Sequence, residues 1–127
     1  MALELEITTK KKVEDQFLHD IGCIALEGGI GYWSQIEGLK WEGKKFGTLH
    51  ILTDWGEIDP DEDTHELTLE LIGKGLKAIL ESDEIVHPDY QKDILKAVHE
   101  GNAGYIDAGL ADVIVQAGCF GEIVYCG

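Results

Sequence analysis

The sequence predicts an α+β fold: one domain over residues 1–127, with a small, mostly antiparallel sheet packed by three or four helices. Three observations predict it. Short segments with apolar residues at every second position precede longer ones whose apolar residues recur at helical spacing. Glycines cluster between these segments, where turns belong. The chain has 127 residues, 44% of them hydrophobic, which suits a single core and argues against disorder.

Taken in order, Leu3, Leu5 and Ile7 alternate with Glu4, Glu6 and Thr8 as a half-buried strand, which Lys10, Lys11 and Lys12 break. Val13 to Leu26 reads as a helix with Val13, Phe17, Ile21, Ile24 and Ala25 on one face. Gly28 and Gly29 are expected to end it in the left-handed geometry that glycine accepts. Tyr32 to Ile36 and Phe46 to Thr53 read as strands, with Gly38, Gly43 and Gly47 punctuating the connection.

Leu69 to Glu81 carries Leu69, Ile72, Leu76, Ile79 and Leu80 on one helical face, and Thr68 is placed to cap its N-terminus. Gly73 and Gly75 inside it each cost about 1 kcal/mol against alanine, so they read as close-packing sites. Pro88 suits a first helical turn, and Tyr90, Ile94, Leu95 and Val98 follow at helical spacing. Residues 101–104 form a turn. Asp107 then caps a helix over Ala108 to Ala117, and Gly118 and Gly121 separate it from a final strand, Glu122 to Tyr125. No internal repeat or low-complexity linker is present.

Charge is the compositional outlier. There are 25 acidic residues against 10 basic ones, giving −15, and all ten basic residues are lysine. A basic face for direct nucleic-acid binding is missing. So is arginine, the planar bidentate ligand for phosphate, which leaves lysine, backbone N–H groups and helix N-termini. The acidity reads either as solubility through net charge or as a surface that mimics DNA. No apolar run approaches the ~20 residues of a membrane helix, and the acidic start lacks the basic region of a secretory signal. Cys23, Cys119 and Cys126 are odd in number and form no Cys-x-x-Cys pair, which argues against a disulfide framework and for a reducing cytoplasm.

Two places invite a functional reading beside a structural one. The helix from Ala108 to Ala117 is apolar around most of its circumference, and Asp112 and Gln116, four residues apart, share one face. A buried carboxylate must be paired or hydrogen-bonded. Asp112 therefore either braces a neighbouring helix end or lysine, or lines a ligand pocket or a subunit interface. Tyr32 and Trp33 are adjacent, so in a strand they point to opposite faces. One is expected in the core; the other is either a packing residue or a stacking platform for a nucleobase. The two strongly apolar helices also carry more burial demand than a small sheet meets, which predicts a homo-oligomer.

Catalysis and metal binding have little support. The five histidines show no metalloprotease spacing, there is no phosphate loop or nucleophile elbow, and neither Ser34 nor Ser82 lies in a nucleophile context. Asp59, Asp61, Asp63 and Glu70 match positions 1, 3, 5 and 12 of a calcium loop. Thr64 then replaces its glycine, so the segment reads as a solvated acidic loop over a sheet edge. A non-enzymatic protein without metal or cofactor is expected.

Three blocks carry a resemblance: Ala25-Leu26-Glu27-Gly28-Gly29 with Tyr32-Trp33; Leu67-Thr68-Leu69-Glu70 with Lys74-Gly75; and Ala111-Asp112 with Ile114-Val115-Gln116, continuing through Phe120-Gly121-Glu122-Ile123-Val124-Tyr125. In this order they resemble a widespread set of small phage-encoded proteins whose function, where known, is counter-defence. That set is similar to the anti-Thoeris sponge proteins, which sequester cyclic ADP-ribose signals and sometimes cyclic oligonucleotides. The resemblance implies a protein of the infected host's cytoplasm that binds a small nucleotide-like second messenger. Tyr32 or Trp33 would stack on a base, Asp107, Asp112 and Gln116 would bond ribose or base edges, and Lys74 would meet phosphate. Sponge pockets use arginines, and this chain has none. The alternative is an acidic DNA mimic that inhibits a host nucleic-acid-binding defence protein.

Overall fold

The periodicities resolve into nine regular elements among residues 5–6 and 12–126, which the computed structural model describes. They are β1 (Leu5–Glu6), β2 (Lys12–Val13), α1 (Asp15–Ile24), β3 (Ser34–Glu37), β4 (Lys45–Ile51), β5 (His65–Thr68), α2 (Leu69–Glu81), α3 (Pro88–Glu100) and α4 (Ala108–Phe120). The strands β3, β4 and β5 form an antiparallel sheet in that order, and β1 pairs separately with β2. The class is α+β with four α-helices, as the alternation of patterns predicts. Of the first predicted strand, Leu3, Glu4, Ile7 and Thr8 lie outside the described residues, as do Lys10 and Lys11.

Alternation sets the sheet's register. Ser34 lies opposite Ile51 and Ile36 opposite Leu49, while Leu49 meets His65 on its other side. Leu49 and Ile51 are buried, and Thr48 and His50, which alternate with them, are only partly so. The sequence shows no strand pattern over the edge strand β5. Its four residues bury only Leu67, too little alternation to register.

The helix predicted from Val13 starts only at Asp15, because Val13 pairs in β2, whereas the two predicted caps are confirmed atom by atom. Thr68 Oγ1 accepts from Leu71 N–H at 3.0 Å, and Asp107 Oδ1 from Leu110 N–H at 2.8 Å. Two helix ends differ. Gly28 and Gly29 are not left-handed; they lie inside a π-helical turn, Ala25–Gly29, that continues α1. A Cβ on Gly29 would sit 2.8 Å from the Ala108 carbonyl oxygen, so this glycine is there to admit the first turn of α4. Gly118 does not stop α4 either; the helix runs on to Phe120 and ends at Gly121 with φ of 73°.

Gly118 stays helical because of what it touches. A Cβ there would lie 2.4 Å from the Leu71 carbonyl oxygen, and one on Gly75 would lie 2.0 Å from that of Ile114. α2 and α4 thus cross backbone against backbone, and each glycine's propensity cost is offset by that approach. Gly75 is the close-packing site the sequence suggested, and Gly73 is buried as well. Leu110, Ile114, Val115 and Ala117 of α4 are core residues, and Val113 is partly buried. The core-facing side chains of α2 are buried within the same chain.

The final strand does not form. Residues 122–126 run as an irregular tail over α4, because their hydrogen-bonding partner is a side chain rather than a strand.

Candidate functional site

That side chain belongs to a polar network centred on Asp112, buried at 7% exposure on α4. Its Oδ1 accepts from Trp33 Nε1 at 2.8 Å and Gln116 Nε2 at 2.9 Å, and its Oδ2 from the Tyr32 hydroxyl at 2.6 Å. Among the described residues no lysine takes part. Three neutral donors satisfy the carboxylate, the arrangement a buried anion requires when no cation is near. Tyr32 and Trp33 do not point to opposite faces, because they sit in a turn before β3 and not in the strand. From that turn both reach the same carboxylate. Burial, then the bond to Asp112, pushes the Tyr32 phenol well above its ordinary value.

Gln116, fully buried, extends the network to the tail. Its Oε1 accepts from Val124 N–H and Tyr125 N–H, both at 2.8 Å, and its Nε2 donates to the Tyr125 carbonyl at 3.0 Å. With the bond to Asp112, all four hydrogen-bonding positions of the amide are used. The glutamine does for the tail what a neighbouring strand's peptide would do. Tyr125 then stacks on Trp33, with ring centroids 5.2 Å apart and planes 6° from parallel, and Phe120 closes the cluster at 5.6 Å from Trp33. Gln116→Leu keeps the volume and removes the clamp. Amide exchange at Val124 and Tyr125 should then accelerate by roughly tenfold or more while α2 stays protected. Unchanged protection at both amides would show that aromatic packing alone holds the tail.

Beside this network lies an open cavity of about 610 Å3. Its walls come from the π-helical turn, the start of α3, the first turns of α4 and the tail. Tyr32, Tyr90 and Tyr125 supply aromatic surface, and His87, Asp93 and Asp107 supply polar groups. The size suits a small organic ligand.

The predicted site residues separate on this geometry. Tyr32, Asp107 and Asp112 line the cavity together. Trp33 is 2% exposed with its indole N–H on Asp112, so it is a core residue and not a stacking platform. Gln116 lies behind the wall with its amide fully engaged. Lys74 is exposed on α2 and is not among the residues lining the cavity; its charge acts instead on the Cys119 thiol. Tyr90, His87 and Asp93 were not predicted. The spacing of Tyr90 and Asp93, three residues apart on one helical face, was the available signal.

Cys126 also lines the cavity and is exposed, whereas burial pushes the Cys119 thiol up to about 12, an effect Lys74 only partly offsets. Cys23 is raised too, by burial and then by Asp20 and Glu27. A thiol-exchange reagent at pH 8 should therefore modify Cys126 rapidly and Cys119 only after unfolding, because the thiolate is the reactive form. The sign for stability follows. A raised folded value favours the protonated state, so the contribution of Cys119 is complete below its ordinary value of 9.0 and is lost as pH climbs towards about 12. Equal and immediate reaction of all three thiols would contradict this.

In the acidic loop, Asp59 Oδ1 accepts from Asp61 N–H at 2.9 Å. Among the described residues no group of three or more His, Cys, Asp or Glu is placed to hold a metal ion, and no helix is long and apolar enough to cross a membrane. No protein-family model, curated protein or solved structure matches the chain.

Proposed function

We propose that this protein is a non-enzymatic counter-defence protein of phage type that sequesters a nucleotide second messenger, of the cyclic ADP-ribose or cyclic oligonucleotide kind, in the cavity beside Asp112. The observation that carries this reading is the cavity itself, about 610 Å3 and walled by Tyr32, Tyr90 and Tyr125. Its size is within the range of small-ligand sites, and aromatic walls suit a nucleobase. Support also comes from rigidity. Asp112 and Gln116 fix Tyr32 and the tail before any ligand arrives, which lowers the ordering cost of binding. The walls come from one chain, so sequestration needs no assembly.

The test is to incubate the purified protein with extracts of cells carrying signalling-based defences, then to heat it and identify the released small molecules by mass spectrometry. A cyclic nucleotide returned intact, and no longer retained by Tyr90→Ala, is the expected result. Loss of one stacked base costs about 1–3 kcal/mol. A cleaved product would mean catalysis, and an empty protein would remove the reading.

A second reading, the acidic mimic, is favoured by one feature. Trp55 is 89% exposed in a loop that also carries Asp54, Glu57, Asp59, Asp61, Glu62 and Asp63. Tryptophan is a frequent interface anchor, and the carboxylates suit a basic partner. Such binding should weaken steeply as salt rises, unlike capture of a small anion by a chain of charge −15.

A further inference from the structure

We infer that the cavity takes its ligand by an amino-bearing nucleobase, held between Tyr90 and Asp93, and leaves the phosphates in solvent. This rests on the sequestration reading above and names the part of the ligand that the walls recognise.

The argument begins with charge. Among the described residues no lysine lines the cavity, and Asp93, Asp107 and Asp112 do. The position where a phosphate is normally welcome, the N-terminus of α4, is already taken: Asp107 Oδ1 caps Leu110 N–H at 2.8 Å. That carboxylate satisfies the donor and repels a second anion. A phosphate placed inside would meet acidic walls within a protein of charge −15.

The polar groups that remain available decide the rest. Asp112 is saturated by Tyr32, Trp33 and Gln116. The Tyr32 hydroxyl is spent on Asp112, Asp107 keeps one carboxylate oxygen beyond its cap bond, and His87 Nδ1 accepts from Asp89 N–H at 3.0 Å, which leaves its Nε2 as a neutral donor. Asp93 is different. It is exposed, it lines the cavity, and among the described residues it makes no hydrogen bond or ion pair. It follows Tyr90 by three residues on α3, so the ring and the carboxylate stand side by side on one face. A planar base lying on the Tyr90 ring presents its edge to a carboxylate, which only accepts hydrogen bonds. The exocyclic amine of adenine, cytosine or guanine supplies the matching donors. A ligand bound this way keeps its anionic part at the open mouth.

The experiment is calorimetric titration of the intact protein with adenosine, cytidine, guanosine and uridine, and with the 5′-monophosphate of each, at low and physiological salt. At low salt, at least one amino-bearing nucleoside should bind as tightly as its monophosphate or more tightly, with uridine weaker. Asp93→Asn should weaken that nucleoside by about tenfold or more, the equivalent of one charge-assisted hydrogen bond. Added salt should narrow the gap to the monophosphate, since it screens the repulsion. Asp93 is exposed and carries no structural bond, so the variant should fold, and an unchanged melting temperature would verify this. Monophosphates that bind where nucleosides do not would overturn the inference and leave sequestration standing. So would equal affinity of Asp93→Asn and the parent for every nucleoside. Failure of all nucleosides, monophosphates and cyclic nucleotides to bind would overturn both, and binding of spermidine in their place would reassign the cavity to organic cations.

Discussion

Gly75→Ala should destabilise the protein by more than about 4 kcal/mol, a figure at the upper end of overpacking effects. Two opposing terms are in play. Helix propensity alone favours alanine over glycine by about 1 kcal/mol in a helix interior. The new Cβ, however, would lie 2.0 Å from the Ile114 carbonyl oxygen and 2.9 Å from the Gly118 backbone nitrogen. Both obstacles are backbone, so no rotamer change relieves them, and α2 must move away from α4. That movement opens the interface that buries Leu76, Ile114 and Val115. Packing therefore wins over propensity. For a chain of this size the melting temperature should fall by more than about 12 °C. Gly31→Ala is the control: a Cβ there meets nothing within 4 Å, and its effect should stay within about 0.5 kcal/mol. A neutral or stabilised Gly75→Ala protein in thermal denaturation would mean that the helices do not cross this closely.

The second large effect is expected at Asp112. Removing its carboxylate in Asp112→Ala leaves the buried Trp33 N–H without an acceptor and takes one partner each from Gln116 and Tyr32. Orphaned buried donors cost about 1–3 kcal/mol each, and bonds to charged groups are at the strong end, so a loss of about 3–5 kcal/mol is expected. Tyr32 is half-exposed and can turn its hydroxyl to water, which is why the total stays below the sum over three donors. Asp112→Asn should lose less, since one amide oxygen still accepts and the Tyr32 hydroxyl can rotate to accept from the new amide. Urea denaturation should therefore rank the parent above Asn and Asn above Ala, and proteolysis of the tail should follow the same order. A loss under about 1 kcal/mol for Asp112→Ala would show that the network is not held as described.

The alternations that gave β3 and β4 and the helical spacing that gave α1 to α4 were legible because they are local. The caps Thr68 and Asp107 were legible for the same reason, since a cap and its partner lie three residues apart. So was the shared face of Asp112 and Gln116, four residues apart, on which the structure pairs them. The edge strand β5 escaped because pairing with β4, not its own pattern, makes it a strand. The final segment differs from its sequence pattern for the converse reason. Its apolar character suggests a strand, but the peptide groups it would pair with are replaced by one glutamine side chain.

The candidate site shows the same division more sharply. The sequence by itself determined that Tyr32 follows a glycine-rich turn, that Asp107 caps a helix, and that Asp112 inside that apolar helix needed partners. Only the tertiary structure decided which partners: Tyr32 and Trp33 are 80 and 79 residues away along the chain. It likewise decided that Gly29 serves close approach to α4 rather than a left-handed turn, that Lys74 is not among the cavity's lining residues, and that Tyr90 and Asp93 are among them. Periodicity and capping act over a single turn of backbone, so the sequence carries them directly. Burial, carboxylate satisfaction and cavity walls depend on segments meeting across the fold, and that meeting is fixed by how α2, α4 and the tail pack.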